Sequence, residues 1–291
     1  MTAKVIDGRA ISAQIRNEIK AVAEALEPTP HLHAVIVGDD PASALYVRNK
    51  ERACASSGVR STVRRLPATT SQDELLALID DLNCSSDCDG ILVQSPVPRQ
   101  IDENAVILAI DPAKDVDCFH PENVGRMVAG SPRFLPCTPA GIQQLLIRSG
   151  IEIEGKHAVV VGRSNIVGKP MANMLLQKAE GANATVTVCH TRTRDMAHFT
   201  KQADILIVAA GRPRTVTGEM VKLGAVVIDV GSNLIEDASV PKGKRFVGDV
   251  AYDEVSQVAG WITPVPGGVG PMTIAMLMQN TLTAAQHNRR R

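Results

Sequence analysis

Ser43, Tyr46 and Lys50 are spaced i, i+3 and i+7 in a stretch rich in Ala, Arg, Lys and Glu. On a helix read over 43–57 that spacing puts the three side chains on one stripe. A lysine on a helix is most often solvated charge. This one follows closely on an apolar run, His31 to Val37, that reads as a strand. Sites in open α/β sheets gather beyond the carboxyl ends of strands, and a partly dehydrated amine there can exchange protons.

Gln94 directly follows a second apolar run, Gly90 to Val93, and Pro96 and Pro98 stiffen the loop beyond it. A carboxamide at a strand tip can orient a substrate or Lys50; it can equally satisfy loop backbone. Lys114-Asp115-Val116-Asp117 carries two carboxylates two residues apart in a loop. Only one of them is expected to face a cleft, so a two-carboxylate acid/base pair is not expected. A single aspartate can take the N–H edge of a planar heterocycle such as a pterin in bidentate fashion. Pro264 to Pro271 (PVPGGVGP) is too stiff and too bare of side chains for a mere linker. Its glycines let backbone approach a flat ligand, which makes Pro266 and Gly267 candidate substrate contacts, and Pro271 suits a helix start.

A second kind of chemistry is written between His157 and Met171 (HAVVVGRSNIVGKPM). A short β-branched run stops at Gly162, passes through polar residues to Gly168, and resumes as a helix-like stretch. A buried strand feeding a glycine turn and a helix N-terminus is an anion site, because free N–H groups and the helix dipole point at whatever lies above the strand tip. The turn is neither G-x-G-x-x-G, since Ser164 fills the second glycine's place, nor a Walker loop, since Pro170 follows Gly168-Lys169. The next strand, Ala184 to Cys189, ends in His190-Thr191-Arg192-Thr193-Arg194, where an NAD site would place an acid. Arg163, Ser164, Thr191 and Arg192 can instead bind a 2′-phosphate, which favours NADP. Gly231-Ser232-Asn233, after another apolar run, offers backbone groups to a nicotinamide amide.

The elements that must position these residues alternate. Asp7 can cap a helix with Ile11, Ile15, Ile19, Val22 and Leu26 on one stripe. Strands read at 31–37, 61–66 and 90–93, with helices at 43–57 and 71–82 between them. A second series has strands near 158–161, 184–189, 204–209 and 225–230, and a final helix runs from Met272 to about His287. Such alternation predicts an α/β protein of two α/β lobes, the second Rossmann-like. The expected domains are 1–138, with the C-terminal helix 272–291 returning to it, and 139–271. Lys plus Arg equals Asp plus Glu at 31 each, and only seven residues are aromatic. No field or stacking platform suits nucleic acid, and no apolar run is long enough for a membrane. The expected partner is a small molecule. Six cysteines without a C-x-x-C pair suggest free thiols in the cytoplasm and no metal site.

Taken in order, these motifs resemble the bifunctional methylenetetrahydrofolate dehydrogenase/methenyltetrahydrofolate cyclohydrolase family over essentially the whole length. The likeness rests on Tyr46-Val47-x-x-Lys50, Gly90-Ile91-Leu92-Val93-Gln94, Lys114 to Asp117, Pro136-Cys137-Thr138-Pro139, Gly162 to Pro170, Val227 to Gly231 and Pro264 to Thr273. It implies oxidation of 5,10-methylenetetrahydrofolate with NADP, then hydrolysis to 10-formyltetrahydrofolate. It implies Lys50 as the catalytic lysine, Gln94 as its partner, Tyr46 beside the pterin and Asp117 as its anchor. Gly162 to Ser164, Thr191, Ser232 and Thr273 would contact NADP, and the protein would be a homodimer. Four residues depart from the family's habit: Ser95 for an apolar residue, Cys118 for a glycine, Ser232 for an isoleucine and Thr191 at a variable position. A shikimate dehydrogenase-like enzyme and a non-enzymatic NADP-binding regulator are the rival readings. Turnover of methylenetetrahydrofolate separates all three.

Overall fold

A computed structural model of the chain describes residues 2–38, 41–240 and 243–288; the side chains of 41–46 lie outside the description. In chain order the elements are β1 Lys4–Val5, α1 Gly8–Ala23, β2 His31–Val37, α2 Pro41–Ser56, β3 Arg60–Leu66, α3 Gln72–Cys84 and β4 Gly90–Val93. They continue with α4 Glu103–Ala109, α5 Pro121–Val128, α6 Cys137–Arg148, β5 His157–Val161, α7 Gly168–Leu175, β6 Thr185–Cys189 and α8 Met196–Thr200. The last are β7 Ile205–Val208, β8 Val226–Asp229, β9 Asn233–Glu236, β10 Lys244–Val247, α9 Tyr252–Val255, β11 Trp261–Ile262 and α10 Val269–Asn288. The expected α/β alternation is observed.

The chain forms two compact units. One runs from Ala13 to Cys137 and takes in the chain from Ile274 on. The other runs from Thr138 to Thr273 and includes the N-terminal segment up to Ser12. The sequence reading put that N-terminal segment in the first domain instead. It belongs with the second because β1 pairs in parallel with β11, Lys4 opposite Trp261 and Val5 opposite Ile262. Two-residue strands carry no readable alternation, so neither β1 nor β11 was anticipated; nor was the antiparallel β9–β10 hairpin.

In the unit built on Ala13–Cys137 the sheet order is β3-β2-β4, all parallel. All seven residues of β2 are buried, as expected of a central strand covered on both faces. Val35, Val37, Leu75, Ile79, Leu82 and Ile91 belong to one core cluster. Ser71 caps α3 in a reciprocal capping box with Glu74. At the other end of α3 the buried Lys114 ammonium donates to the carbonyls of Leu82, Asn83 and Ser85 at 2.8, 2.8 and 2.7 Å. Lys114 therefore works as a helix C-cap.

The other unit has the sheet order β1-β11-β8-β7-β5-β6, parallel throughout. From β5 the chain steps to β6 on one side, then to β7 on the other. That reversal makes the carboxyl edge between β5 and β7 a switch point, where doubly wound sheets bind ligands. Asp7 caps α1 through Arg9 N–H and Ala10 N–H at 2.9 and 3.1 Å. The buried stripe of α1 is Ile11, Ile15, Ile19 and Ala23, whereas Val22 faces solvent.

Candidate functional site

Two groups of site residues are built, one in each unit. In the first, the segment Lys114–Asp117 runs beside β4: Ile91 pairs in parallel with Asp115, and Ile91 N–H donates to Lys114 O at 2.9 Å. Gly90 permits this approach, since a Cβ there would lie 2.6 Å from Val116 Cγ1. Two residues apart, Asp115 and Asp117 would share one face of a strand; the chain turns here instead, Val116 N–H bonding Lys114 O at 2.9 Å and Cys118 N–H bonding Asp115 O at 3.1 Å, so the two carboxylates part. Asp115 is buried and accepts from Phe119 N–H (3.2 Å), His120 N–H (2.9 Å) and Asn123 Nδ2 (2.9 Å). It anchors the start of α5 and leaves Asp117 as the carboxylate available to a ligand.

Gln94 continues the β4 register, its N–H bonding Val35 O at 2.8 Å. Its carboxamide is fixed at both ends: Nε2 donates to Ser95 O at 2.7 Å, and Oε1 accepts from Lys50 Nζ at 2.9 Å. Lys50 reaches it from α2, the helix following β2. Ser95 serves as the acceptor for Gln94 and turns its own hydroxyl onto Glu103.

Asp117 is partly buried, and burial pushes its carboxyl up to about 6. The Lys50 ammonium pulls the other way, Asp115 pushes it further up, and the Cys137 thiol pulls it down. Asp117 thus feels Lys50 electrostatically, so the structure brings Lys50, Gln94 and Asp117 together. The side chains of Ser43 and Tyr46 lie outside the described residues.

Sequence reasoning missed the residues that hold Asp117 in place. Buried Asn280, on α10, donates to Val116 O at 2.8 Å and Leu135 O at 2.9 Å. Cys118 adopts φ +62 and is fully buried, its thiol donating to Phe134 O at 3.3 Å. That left-handed backbone conformation favours glycine, so the cysteine side chain is accommodated there at some strain.

In the second unit β5 and β6 end level, Val161 opposite Cys189, and Gly162 N–H closes onto Cys189 O at 2.8 Å. This brings Gly162–Ser164 and Thr191–Arg192 to neighbouring strand tips. Gly162 has φ +129, and a Cβ on it would stand 2.2 Å from Ala209 O. A Cβ on Gly168 would stand 2.2 Å from Gly162 O. Two glycines are needed to fold this turn tightly over the switch point and present the N-terminus of α7.

Ser164 Oγ accepts from Val167 N–H at 3.1 Å and Gly168 N–H at 3.4 Å, so it braces the turn; its hydroxyl proton remains for a ligand. Arg163, Ser164, Thr191 and Arg192 are exposed. The bonds Thr193 N–H to His190 O (2.8 Å) and Arg192 N–H to His190 Nδ1 (3.1 Å) hold the second tip. A narrow glycine cradle flanked by arginines and hydroxyls fits a dinucleotide's phosphates.

Ser232 is exposed beyond β8, and Pro266 is exposed beyond β11. Gly267 is buried at φ +118, 3.2 Å from Arg9 Nε were a Cβ present. Thr273 sits in the first turns of α10, its hydroxyl 2.9 Å from that of Thr138. That partner lies in the first turn of α6, not in the glycine turn.

His31, His33 and Asp87 bring three ligand-type atoms within 4.8 Å of one another. Arg60, however, bonds both His31 Nδ1 and Asp87, which puts a guanidinium where a cation would have to sit. A surface cavity of about 460 Å³ in the second unit is lined by Glu152, Lys156, Asp204, Lys222 and Trp261. It opens near the amino ends of the strands, away from the glycine turn. Its charges pair with each other, Lys156 with Glu152 at 2.9 Å and Lys222 with Asp204 at 2.6 Å.

Fold and site together define a nucleotide-binding α/β enzyme with a lysine–carboxamide–carboxylate group. Residues 6–117 match the catalytic domain of tetrahydrofolate dehydrogenase/cyclohydrolase, and residues 136–289 match its NAD(P)-binding domain. The chain belongs to the tetrahydrofolate dehydrogenase/cyclohydrolase family. It is 57% identical over 288 residues to the bifunctional protein FolD of Chlorobium chlorochromatii, covering 97% of this chain and 98% of that one. It also resembles the crystal structure of FolD from Campylobacter jejuni: TM-score 0.91, 47% identity, 98% and 99% coverage. The FolD of Trypanosoma brucei, solved with NADP and an inhibitor, matches at TM-score 0.93 and 42% identity, with both chains fully covered. The protein is a tetrahydrofolate dehydrogenase and cyclohydrolase.

Proposed function

We propose that the chain oxidises 5,10-methylenetetrahydrofolate with NADP and hydrolyses the product to 10-formyltetrahydrofolate, with Lys50 as the proton shuttle of the second step. The observation that carries the assignment is the 2.9 Å bond from Lys50 Nζ to a Gln94 carboxamide that is itself fixed by Ser95.

The substrate holds one carbon between two nitrogens. Loss of hydride from that carbon leaves an amidinium cation stabilised by both lone pairs. NADP, when bound, supplies the hydride acceptor; the chain's own part in that step is alignment. Hydrolysis asks for more. Water adds to the cationic carbon and loses one proton to leave a neutral hydroxyl adduct; one ring nitrogen then gains a proton, the hydroxyl gives up its own, and the carbon–nitrogen bond breaks to leave the formyl group. An amine that can give and take a proton, aimed by Gln94, meets that need. Asp117 holds the pterin edge, and Tyr46, Pro266 and Gly267 flank the folate. Gly162, Arg163, Ser164, Thr191, Arg192, Ser232 and Thr273 hold the dinucleotide, with the arginines on the 2′-phosphate.

With methylenetetrahydrofolate and NADP, reduced cofactor is expected to accumulate while methenyl absorbance rises and then decays. Turnover of shikimate instead, or no turnover despite NADP binding, would overturn the reading.

Asp117 adds a pH signature. Its carboxyl is raised to about 6 by burial, so it is charged above that pH and neutral below it. Only the carboxylate accepts two pterin N–H bonds. The kcat/KM for methylenetetrahydrofolate should therefore fall roughly tenfold per unit below about pH 6, since this ratio reports groups on the free enzyme. In Asp117→Asn the ratio should be low at every pH and lack this acid limb; a limb unchanged in the variant would remove Asp117 from the role.

We further propose a cytoplasmic homodimer. All six cysteines are free, five of them buried, which suits a reducing compartment. No helix among the described residues is long and apolar enough to cross a membrane.

A further inference from the structure

The unit that carries the glycine turn contains two carboxylates that no step above uses. Asp229 ends β8 at 2% exposure, and Asp249 is fully buried. Asp229 Oδ1 accepts from Gly231 N–H and Asp249 N–H, both at 2.9 Å, and its Oδ2 from Val250 N–H at 3.1 Å. Asp249 Oδ2 accepts from Ala210 N–H at 2.6 Å and Gly211 N–H at 2.7 Å, and its Oδ1 from Asn233 Nδ2 at 2.8 Å. These six donors are all neutral.

The pair joins three segments: 210–211 after β7, 231–233 after β8, and 249–250. The first two leave the sheet at its carboxyl edge, beside the switch point. Glycines are required where the carboxylates press on the backbone. A Cβ on Gly248 would fall 1.7 Å from Asp229 Oδ2, and one on Gly231 would fall 2.3 Å from Asp249 N.

Burying carboxylates without cations is costly, and a fold that only had to close these loops could use neutral side chains. Charge-assisted bonds to main-chain N–H groups are shorter and stronger than neutral ones, so they fix peptide planes firmly. Peptide-plane orientation matters most where a ligand is read by backbone. On the reading above, Gly231 and Ser232 meet the nicotinamide carboxamide through backbone.

We infer that Asp249, acting with Asp229, is a positioning pair for hydride transfer: it sets the backbone of 210–211 and 231–232 against the nicotinamide end of the cofactor. Neither residue touches the reacting atoms. The inference rests on the assignment of Gly231–Ser232 to the cofactor. It requires the dehydrogenase to depend on the pair and the cyclohydrolase to be indifferent to it, since Lys50, Gln94 and Asp117 belong to the other unit.

The test compares Asp249→Asn with the milder Asn233→Leu, which removes only one donor to Asp249 and keeps the experiment alive should the first variant not fold. In Asp249→Asn the dehydrogenase kcat should fall about tenfold or more, as small misplacements of a reacting pair do. Affinity for NADP, held chiefly at the glycine turn, should change little, and cyclohydrolase turnover of methenyltetrahydrofolate should stay within about twofold. Asn233→Leu should show the same split to a smaller degree. Equal loss of both activities in the two variants would mark the pair as general scaffolding and overturn the inference; so would undiminished dehydrogenase kcat. A separate measurement on the unaltered protein guards the underlying assignment: NADP should shift the amide NMR signals of Gly231 and Ser232. If those signals stay still, the cofactor assignment fails. If they shift and Asp249→Asn keeps its kcat, only the positioning role fails.

Discussion

Lys50→Met is expected to abolish the hydrolytic step while leaving NADP affinity largely intact. Methionine matches the lysine stem out to Cε but carries no exchangeable proton and cannot bond Gln94 Oε1, which accepts from Lys50 at 2.9 Å in the unaltered protein. Loss of a positioned general acid or base typically costs roughly 10²- to 10⁴-fold, so decay of methenyl absorbance should slow by about that factor. NADP affinity should hold because Gly162–Ser164 and Thr191–Arg192 belong to the other unit. Lys50→Arg sharpens the test. A guanidinium keeps the charge and the reach but does not release its proton in a protein, so it should restore little hydrolysis. Full cyclohydrolase turnover in Lys50→Met would remove the lysine from the chemistry.

Arg163→Ala should weaken NADP far more than NAD. Arg163 is exposed at the tip of β5, level with the tip of β6 that carries Thr191 and Arg192. The two dinucleotides differ only in the 2′-phosphate, so an arginine serving that phosphate acts on one ligand and not the other. Losing a hydrogen bond to a charged partner corresponds to roughly 10- to 100-fold in affinity. Binding of NADP should also lose part of its salt dependence in the variant, because the interaction removed is between opposite charges. Titration of both dinucleotides by calorimetry checks this, and equal losses for the two would remove the 2′-phosphate assignment.

Both predictions draw on residues that stand in unbroken local motifs. The β-branched run before Gly162, the apolar run before Gln94 and the helix spacing of Lys50 are patterns a few residues long. Their physics is local: period, turn chemistry and helix start. For the same reason the central strands lie within a residue or so of their expected bounds, and 31–37 and 90–93 agree with β2 and β4.

What the chain order could not reveal are pairings between distant segments. Alternation along 114–117 would put both aspartates on one face. Only the turn that follows the bridge from Ile91 to Asp115 lets Asp115 bond Asn123 while Asp117 lies in the field of Lys50. Lys114 looks like surface charge until the end of α3 arrives beneath it. Asn280 stands 164 positions from the carbonyl of Val116 that it holds. β1 is two residues long and becomes a strand only because β11 lies beside it. Nothing in the local sequence singles out Asp229 and Asp249, and only their burial against main-chain N–H groups gives them work to do. Sequence by itself determined where the strand tips and helix starts that bear the candidate residues fall, because hydrophobic period and glycine geometry act over a few residues. Tertiary structure decided which polar groups face a ligand and which hold the frame, because a buried polar atom is settled by whichever remote partner packing brings to it.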